Sequence, residues 1–385
     1  PWTQKSPRPV DRGLDLLLSH YAPGPGPSFV KRGRTSAVFC PTCCSFIIRD
    51  SSRCDQQAQA TSRPERQIDR RRPLDSGPLC AMLKAAHGGC LMWFTLLFVW
   101  LFSSTPLHAE NVVDIELSAE FYTVSIDDTE ARIRVLRRSG PGTQYFFVHG
   151  WMHSAERWTE LIGLLPEDWD ICCLDLPGFG YSSIEPPENT SIALVARMLE
   201  RVIGRCRAPG RKSVLVAHSF GGLVALEFEH ISFDSRVYIG VPVQELHGGV
   251  GILRHETLTR ALLRLNTALP RGIARAFARS FARVTVSDPA FVDDLMIDDA
   301  LRADPRAAAR TAREMFEFSL DECPGCNSVH CYVVHARDDR VVALEDSELL
   351  AAHLGAELVI IPDSGHTVMN EAPDQLADLL VQWEP

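Results

Sequence analysis

Val214-Leu-Val-Ala-His-Ser-Phe-Gly-Gly-Leu-Val-Ala225 runs from an apolar stretch into His218, Ser219 and a glycine pair, then turns apolar again. The β-branched run reads as a buried strand, and the apolar residues that resume after Gly222 read as a helix. A strand that ends in Ser and Gly is common in α/β proteins, so this stretch alone leaves Ser219 open between a nucleophile and a small polar turn residue. The chain on either side has to supply its partners.

From Asn111 onward, short apolar runs alternate with helical patterns, as they do in a parallel sheet. The pattern predicts strands at Phe121 to Ser125, Ile133 to Arg137, Tyr145 to Val148, Asp170 to Leu174, Ser213 to Ala217, Arg236 to Val241, Val329 to His335 and Glu357 to Ile361. The first two read as an antiparallel ribbon. From Tyr145 the runs are almost continuously apolar, as expected of strands covered by helices on both faces. Helices are expected at Glu156 to Leu165, Ile192 to Arg205, Gly221 to Ile231, Leu344 to Leu354 and Pro373 to Trp383. The resulting fold class is α/β, a mostly parallel eight-stranded sheet flanked by helices. The gap from Val241 to Cys323 is too long for one crossover and is rich in Arg and Ala, so residues 243–327 are read as a helical cap inserted after the sixth strand.

Composition is that of a globular chain, with 45% hydrophobic and 23% charged residues, and a net charge of −10 argues against a nucleic-acid partner. Residues 1–81 differ from the rest: they carry an excess of Arg and Lys, including Arg70-Arg-Arg72, and Tyr21-Ala-Pro-Gly-Pro-Gly-Pro27 is incompatible with regular structure. We expect disorder, or upstream read-through, there. The first methionine is Met82, followed by Lys84, the apolar run Leu91 to Phe102 and the small-residue end Ser103-Ser-Thr-Pro-Leu-His-Ala109. That order describes a secretory signal peptide at 82–109, with the folded domain at 110–385. The run is shorter than the roughly 20 residues of a membrane span. Leu107 fits poorly three residues before a cleavage site, so the alternative to export is an uncleaved membrane anchor through 91–102. Export would make disulfides available to the 12 cysteines. Cys323-Pro-Gly-Cys326 precedes its strand instead of opening a helix after one, unlike a redox dithiol, and the adjacent His330 and Cys331 would face opposite ways on a strand, unlike zinc ligands. A structural disulfide or two plain thiols is the expectation.

In an open parallel sheet, functional groups lie beyond the carboxyl ends of the strands. Reading those positions gives His149-Gly-Trp151, then Asp175-Leu-Pro-Gly-Phe-Gly-Tyr-Ser182, then His218-Ser219-Phe-Gly-Gly222. Later strands add Ala336-Arg-Asp-Asp-Arg-Val341 and Pro362-Asp-Ser-Gly-His-Thr367. A serine, an acid and a histidine thus emerge at one edge in chain order.

This constellation resembles the α/β-hydrolase superfamily, in the branch with a helical cap, over about residues 112–385. Ala217-His-Ser-Phe-Gly221 is similar to the nucleophile elbow, with Ala217 in place of its first glycine. His149-Gly150 resembles the oxyanion loop, Asp175 to Ser182 the D-x-x-G-x-G-x-S loop, and Gly365-His366 the histidine motif. The resemblance implies a serine hydrolase that cleaves a carboxylic ester or related acyl compound through an acyl-enzyme, with no metal or organic cofactor. Ser219 would be the nucleophile and His366 its base, since a serine hydroxyl needs a base to take its proton. His218 is expected to point elsewhere. Asp339 would orient the histidine; the frame set by Ala336 and Val341 favours it over Asp338, a solvated carboxylate, and over Asp175, which would hold its own loop. Backbone N–H groups of Trp151 and Phe220 would form the oxyanion hole. The Trp151 side chain stays open between pocket wall and core packing.

The cap arginines, among them Arg254, Arg260, Arg264, Arg271, Arg275, Arg279 and Arg283, read as a solvated helical surface, with a carboxylate substrate or an acidic membrane face as alternatives. Leu258, Leu262, Leu263, Phe277 and Phe281 are expected to pack the cap onto the body and to line an apolar pocket for a small-molecule acyl substrate. The same triad serves C–C bond, amide and lactone hydrolases, acyltransferases and cofactor-free perhydrolases. Epoxide and haloalkane hydrolases are disfavoured because they carry Asp at the nucleophile position. A ligand-binding receptor that has lost turnover is the rival from another class.

Overall fold

The computed structural model describes residues 116–244, 253–323 and 330–385. The readings of 1–81 and 82–109, and Cys326, lie outside the described residues. Nine strands form one mixed sheet: β1 (Ser118–Ile126), β2 (Thr129–Arg138), β3 (Gln144–Val148), β4 (Asp170–Leu174), β5 (Ser183–Glu185), β6 (Ser213–His218), β7 (Ser235–Ile239), β8 (His330–Ala336) and β9 (Glu357–Ile361). Their spatial order is β1-β2-β4-β3-β6-β7-β8-β9, with β5 paired to β2. β2 runs antiparallel to β1, β4 and β5, whereas every pair from β4 across to β9 is parallel.

The eight expected strands are all present, and β5 is a ninth. It escaped the sequence reading because three residues before a proline pair carry no alternation to detect. β3, β4, β6 and β7 are buried at every residue, and their side chains alternate between two cores. Phe146, Val148, Leu215 and Ala217 join one core, together with helix α2 (Ile192–Cys206). Tyr145, Phe147, Val214 and Val216 join the other, against α1 (Thr159–Leu164) and α10 (Pro373–Gln382). Burial on both faces leaves only the strand ends for polar chemistry.

The helix after β6, α3, spans Phe220–Leu226 and is shorter than expected. Phe228 and Ile231 remain buried, so the apolar pattern continues beyond the helix. There Glu200 accepts the backbone N–H of His230 at 2.6 Å and of Ile231 at 3.1 Å, so these groups are satisfied without helix bonds. The helix expected from Glu156 begins with a 3-10 turn at Ala155–Trp158.

Between β7 and β8, residues 253–323 carry α4 (Glu256–Ala268), α5 (Arg271–Ala282), α6 (Asp294–Arg302) and α7 (Pro305–Glu317). Asp293 caps α6 by accepting from Met296 N, and Asp304 caps α7 ahead of Pro305. Leu263 and Phe281 pack against the body core as expected. Leu258, Leu262 and Phe277 do not: they are 44%, 44% and 42% exposed. Leu258 and Leu262 form one row along α4 and Thr259 and Leu263 the adjacent one, and only the second faces inward. Arg275 and Arg279 pair with Asp294, and Arg275 also with Asp298, within this segment.

α8 (Leu344–Leu354) lies between β8 and β9, and the short α9 (Val368–Glu371) precedes α10. Cys323 Sγ donates to Ser319 O at 3.7 Å, and Cys331 is disulfide-bonded. Among the described residues no helix is long and apolar enough to cross a membrane.

Candidate active site

β6 ends at His218, and the chain reverses into α3 through Ser219, whose φ of 51° and ψ of −122° are rare for a residue with a side chain. Such a turn holds because the surroundings fix it. Ser219 N donates to Ile239 O at 2.8 Å, and a Cβ on Gly221 would sit 2.4 Å from His149 O, so only glycine lets α3 approach the strand beside it. The result lifts the Ser219 hydroxyl above the sheet edge.

The structure brings Ser219, His366 and Asp339 together. The Ser219 hydroxyl donates to His366 Nε2 at 3.0 Å, and His366 Nδ1 donates to Asp339 Oδ2 at 2.7 Å. These bonds assign the tautomer with the proton on Nδ1. The other Asp339 oxygen accepts from Val341 N at 2.8 Å and Val342 N at 2.9 Å. Burial alone would raise the Asp339 carboxyl, but the His366 interaction and these two N–H donors outweigh it and hold the group below its ordinary value. Asp338 is exposed, and its backbone N donates to Ser364 O at 2.9 Å, so the register set by Ala336 and Val341 selects the inward carboxylate.

Asp175 holds its own loop. Its carboxylate accepts from Ala155 N, Tyr181 N and Arg134 Nε, each at 2.7 Å. His149 braces the neighbouring loop: Nδ1 donates to Gly150 O at 2.7 Å, and Nε2 accepts from Leu176 N at 3.0 Å. Trp151 follows. Neither its backbone N–H nor that of Phe220, the first residue of α3, is bonded to an acceptor among the described residues. The Trp151 indole does two things at once. It lines the cavity over Ser219, and its Nε1 donates to Ala308 O at 3.1 Å and Thr311 Oγ1 at 3.2 Å on α7.

His218 does not stand apart from the site as expected. Its Nε2 donates to His366 O at 2.9 Å, and the two rings lie 4.7 Å apart, so it fixes the backbone that carries His366. Burial, followed by the His366 charge, lowers His218 well below the ordinary imidazole value and keeps it neutral.

A cavity of about 70 Å³ opens over Ser219. Its floor is Trp151, Met152, His153, Ser219, Val341 and His366; its roof, from residues 253–323, includes Leu253, Phe281, Val284, Met296, Ala300 and Met315. Polar contacts that the sequence reading missed fasten that roof to the body. Arg157, 1% exposed, makes a bidentate pair with Asp293 at 2.8 Å, Ser154 Oγ donates to Asp299 at 2.8 Å, and Ser287 Oγ donates to Glu371 at 2.5 Å. His153 was missed too, although its place four residues after His149 in His149-Gly-Trp-Met-His153 was a visible signal. Among the described residues no group of three or more His, Cys, Asp or Glu side chains is arranged to hold a metal ion.

A model of the alpha/beta hydrolase family matches residues 145–379. The uncharacterized hydrolase YugF of Bacillus subtilis (strain 168) is 24% identical over 254 residues, covering 63% of this chain and 90% of its own. Esterase PIR7B of Oryza sativa subsp. japonica is 23% identical over 253 residues, covering 62% of this chain and 94% of its own. Among solved structures, a thermophilic esterase from Thermogutta terrifontis superposes with a TM-score of 0.55 at 20% identity, over 70% of this chain and 98% of that one. Similarity at that identity concerns the fold, which is the one described above.

Proposed function

The chain belongs to the alpha/beta hydrolase family, and we propose that within it the protein is a serine hydrolase that cleaves a carboxylic ester with a short acyl group. One observation carries this reading: His366 bridges Ser219 Oγ at 3.0 Å and Asp339 Oδ2 at 2.7 Å. As Ser219 attacks the ester carbonyl, His366 Nε2 takes its proton, and Asp339 stabilises the imidazolium. The carbonyl oxygen becomes an oxyanion facing the unengaged N–H groups of Trp151 and Phe220, each worth about 3 kcal/mol in that role. His366 then returns the proton to the departing alcohol, which leaves an acyl-Ser219. Water, deprotonated by His366, adds to this acyl group and releases the acid and free Ser219, so protons and atoms balance over the cycle.

The short acyl group is inferred from size and lining. The cavity holds about 70 Å³, well under the roughly 300 Å³ at the lower end of drug-sized ligand pockets. Its roof is apolar, which favours a hydrocarbon acyl portion over a charged one. We read the helices between β7 and β8 as a cap over the site, and the segment 82–109 as the signal that exports the protein, with an uncleaved anchor as the alternative.

A series of p-nitrophenyl esters of rising chain length tests this reading. Turnover should be highest for the shortest acyl chains and should fall by several orders of magnitude in Ser219→Ala, with folding intact. Near-normal turnover in Ser219→Ala would overturn the mechanism, and a preference for long chains would overturn the size argument.

A further inference from the structure

The mechanism leaves one polar group of the cavity unused. Ser219 and His366 engage each other, the Thr285 hydroxyl donates to Ala282 O at 2.8 Å, and His218 Nε2 donates to His366 O at 2.9 Å. His218 Nδ1 has no partner, but a Cβ built on Gly150 would lie 2.8 Å from it, so this atom abuts the backbone of the loop. His153 differs. Its ring lines the cavity and is 7% exposed, its Nδ1 has no partner, and neither ring nitrogen makes a hydrogen bond among the described residues. The ring lies parallel to that of His218, with centroids 6.0 Å apart. Burial, then the nearby Arg157 charge, keeps His153 neutral. A neutral imidazole offers one N–H donor and one acceptor nitrogen. Leaving Nδ1 unmet in a buried site is costly, and native structures keep such orphans mainly where something else binds.

We infer that His153 is a specificity-determining residue that hydrogen-bonds a hydroxyl or oxo group carried by the ester close to its scissile carbonyl. The substrate class is therefore an oxygen-substituted short-chain ester. The inference rests on Ser219 being the nucleophile. The position of His153 supports it: the residue lies two places after Trp151, and His153 N donates to Gly150 O at 3.3 Å, so the imidazole is carried by the same tight turn. Among the described residues, the side chains of the roof opposite His153 are apolar or, like Thr285, already engaged.

Matched esters test the inference. Ethyl butanoate is compared with ethyl 3-hydroxybutanoate and ethyl 3-oxobutanoate, which carry the oxygen on the acyl side, and with 2-hydroxyethyl butanoate, which carries it on the alcohol side. The wild type should favour at least one oxygenated ester by about 10-fold or more in kcat/KM. His153→Leu should bring that ratio close to one by a loss confined to the oxygenated ester, and His153→Asn should restore part of the ratio. An unchanged far-ultraviolet circular dichroism spectrum together with labelling of Ser219 by a fluorophosphonate verifies that each variant is folded. If a variant does not fold, the wild-type ratio alone decides. Equal turnover of plain and oxygenated esters by the wild type would overturn the inference while leaving the serine hydrolase reading intact. An equal loss on all four esters in His153→Leu would also overturn it, by assigning the ring a structural role. Absence of both labelling and turnover would instead refute the reading of Ser219.

Discussion

Acidification from about pH 7.5 to about pH 5.5 should destabilise the fold by roughly 2–4 kcal/mol, and the site itself is the reason. His153 and His218 are held well below the ordinary imidazole value, first by burial and then by the charges of Arg157 and His366 respectively. His149 and His335 are lowered as well, again first by burial. These rings stay neutral in the fold, while the unfolded chain takes up a proton at each near pH ~6.5. Their stabilisation is therefore present above that pH and lost as pH falls. One unit below it, each strongly depressed ring costs about 1.4 kcal/mol, so His153 and His218 together cost about 3 kcal/mol. Asp299 acts in the opposite direction. Burial outweighs the Ser154 hydrogen bond and raises its carboxyl to about 6. The fold thus binds that proton before the unfolded chain does, which returns about 0.8 kcal/mol at pH ~5.5. The net loss from these three groups is about 2 kcal/mol, and His149 and His335 carry it toward 4. Urea titrations followed by tryptophan fluorescence at the two pH values measure the difference. An unfolding midpoint that is unchanged or higher at the lower pH would refute the reasoning.

Asp339→Asn should lower kcat by about 10⁴, because the amide no longer fixes the histidine tautomer, whereas Asp338→Asn should stay within about two-fold; steady-state kinetics on a short p-nitrophenyl ester separates them. Gly150→Ala would place a Cβ 2.8 Å from His218 Nδ1 and 3.2 Å from Ser219 Cβ; kcat should drop by about 100-fold through displacement of the nucleophile, with the far-ultraviolet circular dichroism unchanged. Trp151→Phe removes the donor to Ala308 O and Thr311 Oγ1 but keeps the backbone N–H. It should cost about 1–2 kcal/mol in urea unfolding, with kcat changed less than about ten-fold.

What the sequence made legible follows from burial. β3, β4, β6 and β7 are covered on both faces, so their apolar runs are unbroken and the residues just past them stand out. Ser219, Asp339 and His366 could be selected for that reason, and the frame of Ala336 and Val341 distinguished the inward Asp339 from the exposed Asp338. Features set by tertiary contact were not legible. β5 exists only because β2 is there to pair with it. The end of α3 depends on Glu200, distant in sequence, satisfying two backbone N–H groups. Which row of α4 faces the body depends on how α4 lies against α7, so Leu258 and Leu262 read the same as Leu263. The Arg157–Asp293 pair and the Ser154–Asp299 bond join residues more than a hundred positions apart, and no local pattern announces them.

The central claim is that Ser219 is a nucleophile activated by His366, and covalent labelling examines it directly. Full-length protein is treated with a fluorophosphonate, and the modified peptide is identified by mass spectrometry in the wild type, in His366→Ala and in Ser219→Ala. The account predicts a single phosphonylated residue, Ser219, with labelling slowed by orders of magnitude in His366→Ala and absent in Ser219→Ala. Folded wild-type protein left unlabelled at Ser219, or labelled there equally fast without His366, would contradict it.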